Sequence, residues 1–270
     1  MKKTGLEVTT VAFAVILTAF RIPLKLFFID PFTGFYLREN ILGVVFNLLF
    51  FLCIGLCLFN TIRNKEDYRG KMRVGTTRCV LFSLSAVGIL ISSLMEIKKL
   101  SKMEFGYANE VPKMLIYPAH IMGIMAGLLL LFFSVSLFSG AEIKKGRLLS
   151  LILPVWCSLI SLSEFLTYRY TVYASDQLMG TIFMMSSILF FLYTSKNLIL
   201  PNEEKKYLVF ASVTFMTGIP LAVPRLTAIL LLKREMTGPD ILQCFVTLFI
   251  SLIAFCFLFP PSKKLEEKQL

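Results

Sequence analysis

Residues 41–62 read ILGVVFNLLFFLCIGLCLFNTI and contain no charged side chain. A helix needs about 20 mainly apolar residues to cross the hydrocarbon core of a bilayer. Seven further stretches of the chain meet the same requirement. The eight predicted membrane spans are 8–29, 41–62, 79–97, 114–139, 148–168, 178–198, 208–232 and 241–259.

The composition of the whole chain supports this prediction. Hydrophobic residues make up 56% of the 270 residues and charged residues 17%, whereas soluble domains average about 45–50% and about 25%. The predicted fold class is therefore an all-α integral membrane protein. We expect one transmembrane bundle over residues 1–260, no soluble domain, and a short solvated tail over residues 261–270.

The net charge of +11 is explained by orientation in a membrane. Of the 28 lysines and arginines, 17 fall on one side of the predicted spans, and cytoplasmic loops carry such an excess. This distribution predicts a multi-pass protein of the cell membrane with both termini in the cytoplasm, and no nucleic acid partner. The strongest cytoplasmic signal is the loop between Asn60 and Arg78, which meets anionic lipid or, alternatively, docks a cytoplasmic or membrane protein partner.

The eight spans pair into four hairpins with a shared layout. Each arm that returns to the cytoplasm starts near an acid, and these acids are Glu39, Glu110, Asp176 and Asp240. A repeated hairpin explains the pattern. A local cause explains it equally, because an acid at a helix N-terminus complements the helix dipole. Both explanations stay open.

Among the charged residues inside predicted spans, Arg21, Glu164 and Arg225 lie at similar depth, in the half of the bilayer opposite the termini. A charge at a helix centre costs about 2.5–3.5 kcal/mol on insertion scales, and such residues usually face the bundle. One interpretation is a buried cluster that fixes the order of the helices. Another is a binding site for a small anionic or zwitterionic solute, because the planar guanidinium matches carboxylate and phosphate. A third is that the three never meet.

Prolines accompany both arginines. Pro23 follows Arg21 and Pro224 precedes Arg225, with Pro220 one turn earlier. The pattern predicts interruptions in the first and seventh spans. Glycine- or proline-broken helices at corresponding positions point to a midplane site in transporters.

Two other features of the spans carry predictions. His120, the only histidine, is a candidate proton or pH site that exchanges a proton with Glu110, or else a satisfied interfacial residue. Glu96 is expected to reach the outer interface by snorkelling. One histidine excludes bis-histidine haem, and no catalytic residue, metal site or cofactor is predicted.

The leading hypothesis is a small-solute binding or transport protein whose outward-facing pocket is lined by Arg21, Glu164 and Arg225. The alternative is a non-transporting sensor or assembly subunit whose buried charges are structural. Enzyme activity is not supported by any motif; a lipid-modifying enzyme would have to use Glu110 and His120.

Overall fold

The computed structural model describes residues 5–30, 36–37, 41–63, 76–102, 110–138, 147–167, 174–199, 206–232 and 241–258. Within these ranges the chain forms eight long helices. They are α1 (Gly5–Pro23), α2 (Ile41–Arg63), α3 (Thr76–Leu100), α4 (Glu110–Phe138), α5 (Ile152–Thr167), α6 (Ala174–Ile199), α7 (Lys206–Leu232) and α8 (Ile241–Leu258). A π-helical turn (Leu24–Phe28) continues α1, and a 3₁₀ turn (Leu148–Leu151) precedes α5.

Each predicted span coincides with one of eight apolar segments of membrane length formed by these helices and turns, and the ends of the spans and segments agree within three residues. Each helix is long and apolar enough to cross a membrane, which indicates a multi-pass membrane protein. The four-hairpin repeat, the choice of membrane and the side on which the termini lie stay predictions. The basic loop over residues 64–75 and the tail over residues 261–270 lie outside the described residues.

Helix α7 lies at the centre of the fold and contacts α1, α2, α6 and α8. Its membrane-length window is 67% buried, whereas that of α2 is 28% buried. Most of the side chains of α2 that face outward are apolar, as Leu48 shows with 67% exposure. By contrast, α7 buries hydroxyl groups, and the Thr214 hydroxyl donates to Ser186 on α6 at 3.1 Å. A central helix tolerates such polar groups because neighbouring helices supply hydrogen-bond partners.

Helices α3 and α4 approach closely at the glycines Gly123 and Gly127. A Cβ atom at Gly127 would lie 3.1 Å from the Leu90 Cα, and one at Gly123 would overlap the Ser93 Oγ. Small residues four apart on one helix allow backbones to approach each other in this way. The glycine pair therefore faces α3.

Substitution of Gly127 by alanine is expected to destabilise the protein by about 1–3 kcal/mol, as overpacking does in a well-packed core. The backbone of Leu90 blocks the added methyl group, so the two helices must separate. Gly180→Ala is the matched control, because a Cβ atom there meets nothing within 4 Å. Thermal unfolding in detergent would show the difference, and equal midpoints for the two variants would contradict the prediction.

Candidate functional site

The buried face of α1 carries two positive charges. Five residues of this face are each 3% exposed or less, and all but the last pair are three or four residues apart. They are Ala14, Leu17, Arg21, Leu24 and Lys25. Residues with this spacing share one face of a helix. Arg21 and Lys25 thus continue the apolar stripe that packs into the bundle.

Pro23 changes the helix between these two residues. It has no backbone N–H, so it cannot donate to the carbonyl of Ala19. The chain widens immediately afterwards into the π-helical turn Leu24–Phe28. Short π-helical segments occur often at functional sites. This turn contains Lys25 and, as predicted, interrupts the first span.

Arg225 enters the same region from α7, which packs against α1. The side chain is 3% exposed. The predicted interruption of the seventh span does not occur, since α7 remains one helix through Pro220 and Pro224. Neighbouring helices can compensate for the backbone hydrogen bonds that proline removes.

The carboxylate at the centre of the site is Asp176, in the first turn of α6. Its Oδ1 accepts a hydrogen bond from Arg21 Nη2, and its Oδ2 accepts one from Lys25 Nζ. Arg225 Nη1 donates to the same Oδ2 at 3.3 Å. None of the four side chains is more than 9% exposed. We call these four residues the Asp176 cluster; it carries three positive charges and one negative charge.

Aromatic packing fixes the position of Arg21. Its guanidinium carbon lies 4.8 Å from the centre of the Phe46 ring on α2. Phe46 is stacked between Phe20 and Phe50, with ring centres 6.1 and 6.3 Å apart. A cation over an aromatic face is attracted by the ring quadrupole. The contact holds the guanidinium in place beside Asp176.

Tyr36 adds a hydroxyl group near the cluster. Ile29 and Tyr36 form an antiparallel bridge, and Leu37 N–H donates to the Phe28 carbonyl at 2.9 Å. The Tyr36 ring lies against Gly43, where a Cβ atom would be 2.8 Å from the ring. Within the described part of the chain, the buried Tyr36 hydroxyl has no hydrogen-bond partner. Burial raises the pKa of Tyr36, so the hydroxyl keeps its proton at neutral pH and can donate it to an acceptor.

The arginines predicted to share a site, Arg21 and Arg225, do contact one group, but that group is Asp176. Glu164 is half-buried on α5, a helix that packs against α4 and α6. Sequence reasoning explained Asp176 either as part of a repeated hairpin or as a local helix cap, and it did not include Lys25 in the site. One available signal was the spacing of Lys25, four residues after Arg21, which places both on one helix face.

The two residues of the predicted proton site lie on the same helix but at different levels. His120 is half-buried on α4, and Glu110 is the first residue of the same helix. Ten residues of α-helix separate them, which corresponds to about 15 Å along the axis. The side chain of Glu110 lies outside the described residues. The exchange of a proton between these two residues stays a prediction.

A small cavity lies between α3, α4, α6, α8 and the start of α5 with its preceding 3₁₀ turn. Its volume is about 20 Å³, and Phe82, Phe133, Phe191 and Thr194 are among the residues that line it. This volume accommodates roughly one water molecule. None of the residues that line it belongs to the Asp176 cluster.

Comparison with known proteins finds no family model, no curated protein and no solved structure that matches this chain.

Proposed function

We propose that the protein binds a small anionic or zwitterionic solute at the Asp176 cluster and transports it across the cell membrane. The observation that carries the proposal is the convergence of three cations on one carboxylate, all inside the bundle. Arg21 and Arg225 keep the role that the sequence predicts for them. Asp176 takes the place of Glu164 as the acid beside them, and Lys25 joins them.

The charge of the cluster supports an anionic ligand. Removing a charge from water is costly unless it is paired and hydrogen-bonded. Among the described residues of the cluster, three cations share the negative charge of Asp176. A carboxylate or phosphate beside them would lower that cost and would accept bonds from the Lys25 ammonium and the Tyr36 hydroxyl. Hydrogen bonds of this charged type are about twice as strong as neutral ones.

The same arrangement suggests how binding is coupled to a change in structure. A ligand anion competes with Asp176 for the cations, so its entry weakens the contacts that hold α1, α6 and α7 together. Asp176 acts as the exchangeable counter-ion that fills the site when the solute is absent. Because the four side chains are buried, a solute reaches them only when these helices separate locally.

A specific observation favours the alternative of a non-transporting sensor or assembly subunit. All four side chains of the Asp176 cluster are buried and ion-paired, as they would be in a cluster that only fixes the order of the helices. In that case the basic loop between Asn60 and Arg78 is the surface for a protein partner. Both termini and this loop are proposed to be cytoplasmic, and reporter tags at residues 68 and 270 on opposite sides of the membrane would contradict this topology.

Thermal unfolding with added anions tests binding. We expect inorganic phosphate or acetate to stabilise the purified protein in detergent, by about 2.7 kcal/mol at a concentration of 100 times Kd. Chloride at equal ionic strength separates this effect from screening. Lys25→Met should lose the stabilisation because it removes one of the three cations at similar side-chain length.

Lys98→Met is the matched control, because Lys98 is exposed in the last turn of α3. This variant should respond to the anions as the unsubstituted protein does. Equal stabilisation of Lys25→Met and Lys98→Met would place the anion elsewhere. The absence of stabilisation in the unsubstituted protein would favour the structural alternative.

A further inference from the structure

The hydroxyl group of Tyr36 is a buried donor that makes no hydrogen bond within the part of the chain that the structure describes. Buried polar groups are nearly always hydrogen-bonded, so an exception calls for an explanation. The buried hydroxyls of Ser195 and Ser251, by contrast, donate to backbone carbonyls at 2.9 and 2.7 Å. A donor that is kept for a ligand explains the exception at Tyr36.

The backbone ties Tyr36 to the π-helical turn that carries Lys25. Ile29, which directly follows this turn, forms an antiparallel bridge with Tyr36. Leu37 N–H donates to the carbonyl of Phe28, the last residue of the turn, at 2.9 Å. The Lys25 ammonium and the Tyr36 hydroxyl are therefore carried by one hydrogen-bonded backbone unit.

The ring of Tyr36 is fixed against α2. A Cβ atom at Gly43 would lie 2.8 Å from the Tyr36 Cζ, the ring carbon that bears the hydroxyl. Phe46 follows Gly43 by three residues, and the Arg21 guanidinium lies 4.8 Å from the centre of the Phe46 ring. Residues three apart on a helix are neighbours. The hydroxyl-bearing carbon thus contacts α2 one turn from the ring that holds Arg21.

Charges of the Asp176 cluster act on the Tyr36 hydroxyl. Burial is the largest cause of the raised pKa of Tyr36, and the charges of Arg21 and Asp176 lower and raise this pKa, respectively. Both charged residues belong to the cluster, so the hydroxyl lies within their electrostatic range. At neutral pH it is protonated and offers a hydrogen atom to an acceptor.

We propose that Tyr36 selects the ligand of the Asp176 cluster and that this ligand is an oxyanion with at least two acceptor oxygens. The inference rests on the anion binding proposed above. One oxygen pairs with the Lys25 ammonium, and a second accepts the Tyr36 hydrogen bond. Asp176 already accepts bonds from three cations, so Lys25 and Tyr36 present donors to an incoming solute. A carboxylate or phosphate engages both through separate oxygens, whereas chloride has a single centre.

Tyr36→Phe keeps the ring against Gly43 and removes the hydroxyl, and it should affect the free and the bound protein differently. A buried hydroxyl without a partner lowers stability, so the variant should unfold at an equal or higher temperature when anions are absent. In the bound protein the hydroxyl makes a charge-assisted hydrogen bond. Its loss should raise the Kd for phosphate or acetate roughly 10- to 100-fold. Thermal unfolding in detergent, titrated with sodium phosphate, sodium acetate or sodium chloride, measures both effects, and the response to chloride should not change.

Two control variants isolate the hydroxyl and its position. Tyr193→Phe removes a hydroxyl from α6 at a distance of about 26 Å from Asp176 along the helix axis, and it should bind the anions as the unsubstituted protein does. Gly43→Ala keeps the Tyr36 hydroxyl but displaces the ring that bears it, so it should weaken binding. Gly55→Ala on the same helix should not, because a Cβ atom there meets nothing within 4 Å.

The outcomes distinguish this inference from anion binding itself. Stabilisation by phosphate and acetate that persists in Tyr36→Phe but is lost in Lys25→Met would overturn the role of Tyr36 and leave the anion site intact. A lower unfolding temperature of anion-free Tyr36→Phe would also overturn it, because the hydroxyl would then have a partner within the protein. The absence of any anion effect in the unsubstituted protein would refute both proposals. If Tyr36→Phe fails to fold, the comparison of Gly43→Ala with Gly55→Ala decides the outcome.

Discussion

Replacement of Asp176 by asparagine is expected to lower the free energy of unfolding by about 3–5 kcal/mol, the usual cost of removing one partner from a buried ion pair. Asparagine preserves the size of the side chain but removes the negative charge that Arg21, Lys25 and Arg225 share. Three cations would then face one another at close range in a medium that screens them poorly. Unfolding in detergent, followed by circular dichroism, measures the loss.

Two further variants show whether charge is the cause. Glu164→Gln also neutralises one acid. Glu164 lies on α5, which packs against α4 and α6, whereas the three cations of the cluster lie on α1, the turn after it and α7. We therefore expect a smaller loss of stability from Glu164→Gln. The double variant Lys25→Met with Asp176→Asn should regain part of the loss, because residues in one network are coupled. A loss as large in Glu164→Gln as in Asp176→Asn would contradict the assignment of Asp176 as the shared counter-ion.

Arg225→Gln is expected to abolish uptake of the solute while the protein remains folded. The substitution removes one of three positive charges, so the remaining charges are more nearly balanced and the cluster retains its carboxylate. A ligand anion loses a charged hydrogen bond worth about 1.5–3 kcal/mol, which weakens binding roughly 10- to 100-fold. Uptake of labelled phosphate and acetate into proteoliposomes measures transport, and thermal unfolding in the same samples measures folding.

The outcomes separate the two proposed functions. Uptake in the unsubstituted protein that is lost in folded Arg225→Gln supports transport. Stabilisation by anions without uptake favours a sensor. Unfolding of Arg225→Gln, with no anion effect in the unsubstituted protein, indicates a cluster that only orders the helices. Arg147→Gln, a substitution beside the 3₁₀ turn Leu148–Leu151, is the control for a general effect of charge.

The helices could be predicted because hydropathy is a local property. The stretch 41–62 predicts a span from its own residues, and the structure has α2 there. The proline effects were less predictable. Pro23 is followed by a widened turn, whereas Pro220 and Pro224 leave α7 continuous. The difference arises from packing, since α7 is surrounded by four helices that hold it in place.

The site could be predicted only in part. Arg21 and Arg225 stand out because charges in apolar segments need an explanation. Asp176 does not stand out, because its position at the start of a helix already has a local electrostatic cause. Glu96 is 7% exposed, so the expectation that it reaches the outer interface is wrong. Its distance from the end of the span gave no information about which side of α3 faces the bundle.

The sequence by itself thus determined the number of helices that are long and apolar enough to cross a membrane, their approximate limits and the identity of two buried arginines. These follow from the free energy of placing each segment in hydrocarbon, which depends on neighbours in the chain. Only the tertiary structure decided that Asp176 neutralises those arginines, that Lys25 joins them, and that Glu96 is buried. Such pairings depend on which helices are adjacent, and here α7 brings α1 and α6 together from distant parts of the chain.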